Sequence, residues 1–109
     1  MNNNVEHVIK LLCEAFNKNF DDFQGIYLYG VFTDGKVHKN KDIELVAIFD
    51  VENKHKREII WPIVGKIETE LDVFIDLHPI TMEDFKKDED FYNEVISDGI
   101  FYNTEGKRA

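Results

Sequence analysis

The chain has 109 residues, with 13 Lys and Arg against 22 Asp and Glu for a net charge of −9, and 43% of it is hydrophobic. That length holds one core and excludes a two-domain enzyme, and the apolar content is enough to fold residues 1–109 as one domain without disulfide staples. The acidic balance repels a phosphate backbone and excludes broad nucleic-acid binding, while the lack of a signal peptide or long apolar run leads us to expect a soluble, cytoplasmic protein that avoids membranes.

Apolar residues recur at Val5, Val8, Ile9, Leu12, Cys13 and Phe16, the spacing of one helical face. Asn2-Asn3-Asn4 ahead of them supplies caps for the first amides, and Asn17, Asn19, Asp21, Asp22 and Gly25 carry turn chemistry that ends the helix near Asn19. Cys13 is the only cysteine and sits on the apolar face, so it reads as a small core residue rather than a reactive thiol. Residues 26–29 and 43–49 are β-prone runs. Between them Gly30, Lys36, His38, Lys39, Asn40 and Lys41 are too polar for a core element and predict a surface loop with room for one helical turn.

A second helical stripe runs through Ile60, Ile63, Val64, Ile67 and Leu71, with Pro62 required in its first turn or at a kink. Lys54-His55-Lys56-Arg57 before it reads as a solvated turn or helix start, and Trp61 and the phenylalanines as core or interface material. Residues 73–78 predict a third strand closed by Pro79, after which Thr81 caps an entry into two short helices carrying Phe85, Phe91, Tyr92, Val95 and Ile96. Gly99 breaks that pattern, residues 100–102 add a short strand, and the last few residues are expected to be loose. Helix, strand, loop, strand, helix, strand and helices in this order predict an α+β fold, a small mixed β-sheet covered by helices.

Alternate side chains of a strand share a face, so Asp42 and Glu44 project together, and Phe74, Asp76 and His78 do the same in the third strand. If the two strands are neighbours, Asp76 converges with the first pair. Clustered carboxylates repel one another unless cations lie between them, and hard oxygen ligands suit Mg²⁺ carrying phosphates. The competing reading is an ordinary solvated acid pair at a strand entrance. His78, directly before Pro79, reads as a strand-end side chain rather than a ligand.

The stretch Gly30-Val31-Phe32-Thr33-Asp34-Gly35-Lys36-Val37-His38-Lys39-Asn40-Lys41-Asp42-Ile43-Glu44 resembles the signature of the minimal nucleotidyltransferase family, related to the polymerase-β type catalytic domain. That signature has Gly-Ser at a strand end, a loop of roughly ten residues and Asp-x-Asp opening the next strand. The run from Val73 to His78 resembles the strand bearing the third carboxylate, and Phe91 to Tyr102 the closing helix and strand, so the likeness covers nearly the whole chain.

The resemblance implies a polymerase-β palm-like fold that binds a Mg²⁺-nucleoside triphosphate and transfers a nucleotidyl group to a hydroxyl, on a protein among other acceptors. Asp42, Glu44 and Asp76 would be the catalytic and metal-binding carboxylates, holding two Mg²⁺ ions, with Asp76 as third ligand or base. Gly30, Val31, Lys36, Lys39 and Lys41 would lie at the phosphate-binding positions, with His38 as a helper. It also implies a separately encoded helical partner, as in toxin and antitoxin pairs, or a homo-oligomer.

The chain departs from the family pattern at four places. Val31 stands for the serine, Asp34 for a common arginine, Lys41 for a serine before the first acid, and Glu44 for the second aspartate. These departures motivate an alternative, a catalytically degenerate binding or regulatory module that keeps the fold without the reaction.

Overall fold

The computed structural model describes residues 3–109, with side chains from Asn4 onward. In chain order the elements are α1 (Asn3–Asn19), β1 (Phe23–Tyr29), a 3-10 turn (Val31–Asp34), β2 (Asp42–Phe49), α2 (Lys54–Leu71), β3 (Phe74–Thr81), α3 (Met82–Lys87), α4 (Glu89–Asp98) and β4 (Ile100–Tyr102). The four strands form one mixed sheet in the order β3-β2-β1-β4: β1 runs antiparallel to β2 and β4, and β3 parallel to β2. The α+β class therefore stands as expected.

Strand alternation divides the core into two layers. Ile43, Leu45, Ala47 and Phe49 pack with the apolar stripes of α1 and α2, where Val8, Ile9, Leu12, Phe16 and Ile60 are fully buried. The opposite face carries Tyr29, Val46 and Ile48 against Phe85 of α3 and Val95 of α4. Cys13 lies in the first layer, where burial pushes its thiol up to about 12 and leaves it inert at neutral pH.

Several boundaries differ from the expectations, each for an identifiable reason. Asn3 and Asn4 lie inside α1 rather than before it, and Asn2 falls outside the described residues. Gly25 belongs to β1, not to a turn. It sits at a bulge with φ of 136°, where a Cβ would strike the Phe101 ring and the Tyr102 carbonyl. Helix α2 starts at Lys54 behind the N-cap Asn53, whose side chain accepts from the Lys56 amide at 2.9 Å, so Pro62 lies in its interior.

Lys56 is not solvated as its basic neighbourhood implied. It is buried, with Nζ 2.6 Å from Asp22 Oδ2, 2.5 Å from the Val51 carbonyl and 4.5 Å from the centre of the Phe49 ring. Burial acts to raise the Asp22 carboxyl, but the hydrogen bond from Lys56 and that from the Val51 amide hold it below the usual range. Trp61, by contrast, is 46% exposed on α2 and contributes little to the core.

Strand β3 does not stop at Pro79 but runs through it to Thr81. It is an edge strand, and Glu68 accepts from the Ile75 amide at 2.8 Å, so amides at alternate positions from Ile75 face away from β2. Pro79 is one of these positions, where its missing N–H breaks no ladder bond. The C-terminal residues are not loose either. Asn103 donates to the Lys107 carbonyl at 2.8 Å, Ala109 to the Phe101 carbonyl at 3.1 Å, and Arg108 forms an antiparallel bridge with Tyr102. No helix among the described residues is long and apolar enough to cross a membrane.

Candidate functional site

The register between the strands decides which acids meet. Glu44 of β2 lies directly beside Asp76 of β3 and opposite Tyr29 of β1, and Asp42 sits one repeat further along the same face, at the mouth of β2. The neighbourhood of β2 and β3 was a condition in the sequence reading and is a feature of the fold. Burial raises the proton affinity of Glu44, and the charges of Asp76, Asp42 and Glu94 add to that, while His78 acts the other way.

Glu94 projects from α4 and is a fourth carboxylate that sequence spacing did not single out. Nothing in its own segment distinguishes it, because only the docking of α4 on the sheet brings it near. Tyr29 was likewise missed. It is buried beneath the acids with its ring edge-on to Phe91 at 5.3 Å, and burial followed by the charges of Asp76, Glu44 and Glu94 raises its hydroxyl above the normal tyrosine range. His78 Nε2 is 3.5 Å from Asp76 Oδ1, so this histidine faces the same cluster.

At the end of β1 the chain turns at Gly30, whose φ of 81° and ψ of −157° suit glycine alone. The space a side chain would need there is filled by the Glu44 carboxylate. The 3-10 turn follows, closed by Gly35 in the left-handed region and by Thr33 Oγ1 donating to the Gly30 carbonyl at 2.9 Å. Asp34 then organises the loop. Its carboxylate accepts from the Lys36 amide at 2.8 Å and lies 2.9 Å from His38 Nε2, and these two contacts lower its pKa.

A recess of about 290 Å³ opens beside this turn, lined by Val31, Asn40, Lys41, Asp42 and Glu44. The fold thus gathers Gly30, Val31, Lys41, Asp42 and Glu44 at one place, with Asp76 adjoining through Glu44. Lys36 and Lys39 are not among the walls of the recess, and His38 is turned to Asp34.

Hard carboxylate oxygens on two register-locked strands fit Mg²⁺ in donor type, and the repulsion that adds to burial in raising Glu44 is what a bound cation would relieve. Among the described residues, however, no three acid, histidine or cysteine groups are close enough to hold a metal ion as they stand. The turn of Glu44 toward Gly30 takes one donor away from the others.

No protein-family model matches the sequence, and no curated protein matches it. Solved structures do. A variant of the toxin–antitoxin pair MntA-HpeT, with two aspartates two positions apart replaced by glutamate, is 24% identical with a TM-score of 0.60, over 89% of this chain and 70% of that one. The chain shares the fold of that MntA-HpeT structure. A toxin–antitoxin structure with AMP-PNP matches at 22% identity and a TM-score of 0.51, over 87% of this chain and 85% of that one. A structure from Shewanella oneidensis matches at 16% identity and a TM-score of 0.54, over 93% of this chain and 71% of that one. The likeness to these structures is one of fold, and it includes the α+β architecture with the mixed sheet that holds Glu44 beside Asp76.

Proposed function

We propose that this protein is a nucleotidyltransferase of the minimal type, which binds a Mg²⁺-nucleoside triphosphate in the recess beside Gly30 and transfers its nucleotidyl group to a hydroxyl of a protein partner. The observation that carries the reading is the register of Glu44 beside Asp76, with Asp42 on the same face. With Glu44 turned back from Gly30, Asp42, Glu44 and Asp76 would hold up to two Mg²⁺ ions, which when bound supply charge neutralisation and polarisation at the triphosphate. Lys41 lines the recess and contributes positive charge directly, whereas Lys36 and Lys39 add to the local field from the loop.

In the transfer, the acceptor hydroxyl oxygen bonds the α-phosphorus, the bond to pyrophosphate breaks, and the hydroxyl proton passes to Asp76, whose other neighbour is His78. Burial and the surrounding charges keep Tyr29 protonated, so it can donate a hydrogen bond at the floor of the site. Two related structures support the setting: one holds AMP-PNP, and both are toxin–antitoxin assemblies. A helical partner protein in the cytoplasm, or a second copy of the chain, fits that setting.

Calorimetric titration with ATP and Mg²⁺ tests the binding step, and transfer of α-labelled phosphate to a co-purified partner tests the chemistry. Metal-dependent binding that disappears in Asp42→Asn is the expected result. No binding of any triphosphate, or binding unchanged in that variant, overturns the reading.

A second reading is favoured by a specific feature: Glu44 fills the space over Gly30, and the adjacent Val31 offers no hydroxyl. On this account the chain is a degenerate module that keeps the fold for partner binding. It requires that the wild type bind no triphosphate and that Val31→Ser with Glu44→Asp create such binding.

A further inference from the structure

Helix α2 turns one long face to water, and that face carries residues an isolated helix would avoid. Trp61 is 46% exposed there. Pro62, also exposed, lies in the helix interior, where it has no N–H to give the Glu58 carbonyl. Gly65 follows one turn after Trp61, and a Cβ at that position would meet nothing within 4 Å. Packing inside the molecule therefore does not require a glycine, although alanine would make a better helix. A large exposed aromatic beside a notch without a side chain marks a surface shaped for close approach by another chain.

The charges on the same face indicate which chain. Lys54, Glu58, Pro62, Lys66 and Glu70 follow one another at intervals of four, which places them along a single ridge of the helix. Lys54 lies 4.0 Å from Glu58 and Lys66 3.9 Å from Glu70, and all four side chains are more than half exposed. Such long, solvent-screened pairs hold their charges loosely and leave them available across an interface. When a second copy of the row is laid antiparallel about Pro62, every charge meets its opposite: Glu58 faces Lys66 of the second copy, and Lys54 faces Glu70 at the outer ends. Packing of such ridges, the commonest helix crossing at about −50°, aligns the two rows in this way. The neighbouring row runs through Trp61 and Gly65, and the notch at Gly65 admits the apolar side chains of the second copy. The charged row has no net charge, so two chains of −9 meet where they repel each other least. A strongly acidic or basic partner would find half of the row repulsive.

We infer that the protein forms a two-fold symmetric dimer through α2, with Pro62 at the axis, Trp61 buried in the joint and Glu58 of each copy paired with Lys66 of the other. The inference rests on the proposed function only in taking a second copy as the partner, and it requires neither nucleotide nor metal. Helix α2 covers the sheet face opposite the one that carries Glu44, so both recesses stay open in the dimer.

The test is sedimentation equilibrium of the purified full chain, together with the emission of Trp61, its only tryptophan. The wild type is expected to dimerise as concentration rises, with a blue shift of that emission. Glu58→Lys and Lys66→Glu each set like charges across the joint and are expected to weaken dimerisation about tenfold. Mixing the two variants restores opposite charges, so the mixture is expected to regain the wild-type mass. Each variant carries the same change within its own helix whether alone or mixed, so a folding defect cannot produce this rescue. Gly65→Leu fills the notch and is expected to abolish the dimer while raising the unfolding temperature of the monomer, because leucine is the better helix former. A wild type that stays monomeric at millimolar concentration, a dimer indifferent to the single reversals or to Gly65→Leu, or a mixture that stays monomeric would overturn the inference. No triphosphate is present, so a failure of nucleotide binding and a failure of dimerisation are read separately.

Discussion

The Glu44 carboxylate occupies the place a side chain at position 30 would take. The resemblance to nucleotidyltransferases gives Gly30 a role in admitting phosphates, but in this chain the opening is filled from within by the longer of the two acids on β2. Shortening that acid should clear it. Glu44→Asp is expected to raise Mg²⁺-ATP affinity about fivefold, read by calorimetry, whereas an unchanged affinity would show that Glu44 moves aside freely.

Gly30 itself should tolerate no replacement. Its backbone angles lie in a region that only glycine adopts at low cost, and a methyl group would displace Glu44. Gly30→Ala is expected to lower stability by about 2 kcal/mol, measured by urea unfolding. The double variant Gly30→Ala with Glu44→Ala should recover part of that loss, the part due to crowding.

The pH dependence follows from Glu44. Its folded-state proton affinity is raised by burial and by Asp76, Asp42 and Glu94, so the native state binds more protons than the unfolded chain between the ordinary carboxylate range and the raised value. Stability therefore falls as pH rises through that window. Glu44→Gln should remove this fall and make the protein more stable at neutral pH, as thermal unfolding across a pH series would reveal.

Magnesium alone should act on the same cluster. Adding Mg²⁺ is expected to raise the unfolding temperature of the wild type and to have little effect on Asp42→Asn or Asp76→Asn, because binding to the native state stabilises by mass action. An equal rise in all three proteins would assign the effect to general screening instead.

At the other end of the sheet, Lys56→Met should cost about 2 kcal/mol, because it leaves Asp22 and the Val51 carbonyl without their shared donor. Asp22 has a lowered folded-state pKa, so its contribution is present above the ordinary aspartate range and lost as pH falls through the lowered value. The variant should lose that acid-side slope, which a comparison of unfolding curves at mildly acidic pH can detect.

Helix stripes were legible because burial on one face imposes a repeat that survives in a single sequence, as the six positions from Val5 to Phe16 illustrate. The Gly30-to-Glu44 spacing was legible for a similar reason: a turn and a strand entrance lie close along the chain. The meeting of Glu44 with Asp76 was only conditional, since the register of parallel strands joined by a helical crossover is set by packing rather than spacing. Lys56 was misjudged because its basic neighbours are solvated while its own partner, Asp22, lies far away in sequence. Glu94 and Tyr29 carried no signal, one being an acid on an acidic helix and the other an aromatic in a β-prone run. Pro79 suggested a strand end, although on an outer strand a missing donor costs the ladder nothing.

Both margins of the sheet are partly blocked to newcomers. Along β3 the Ile75 donor is taken by Glu68 and the Pro79 donor does not exist, and along β4 the chain's own terminal residues occupy the backbone of Phe101 and Tyr102. Strand-by-strand growth, the route by which small sheets template fibrils or exchange segments, meets a block at either side. Assembly is thereby biased toward helical and loop surfaces.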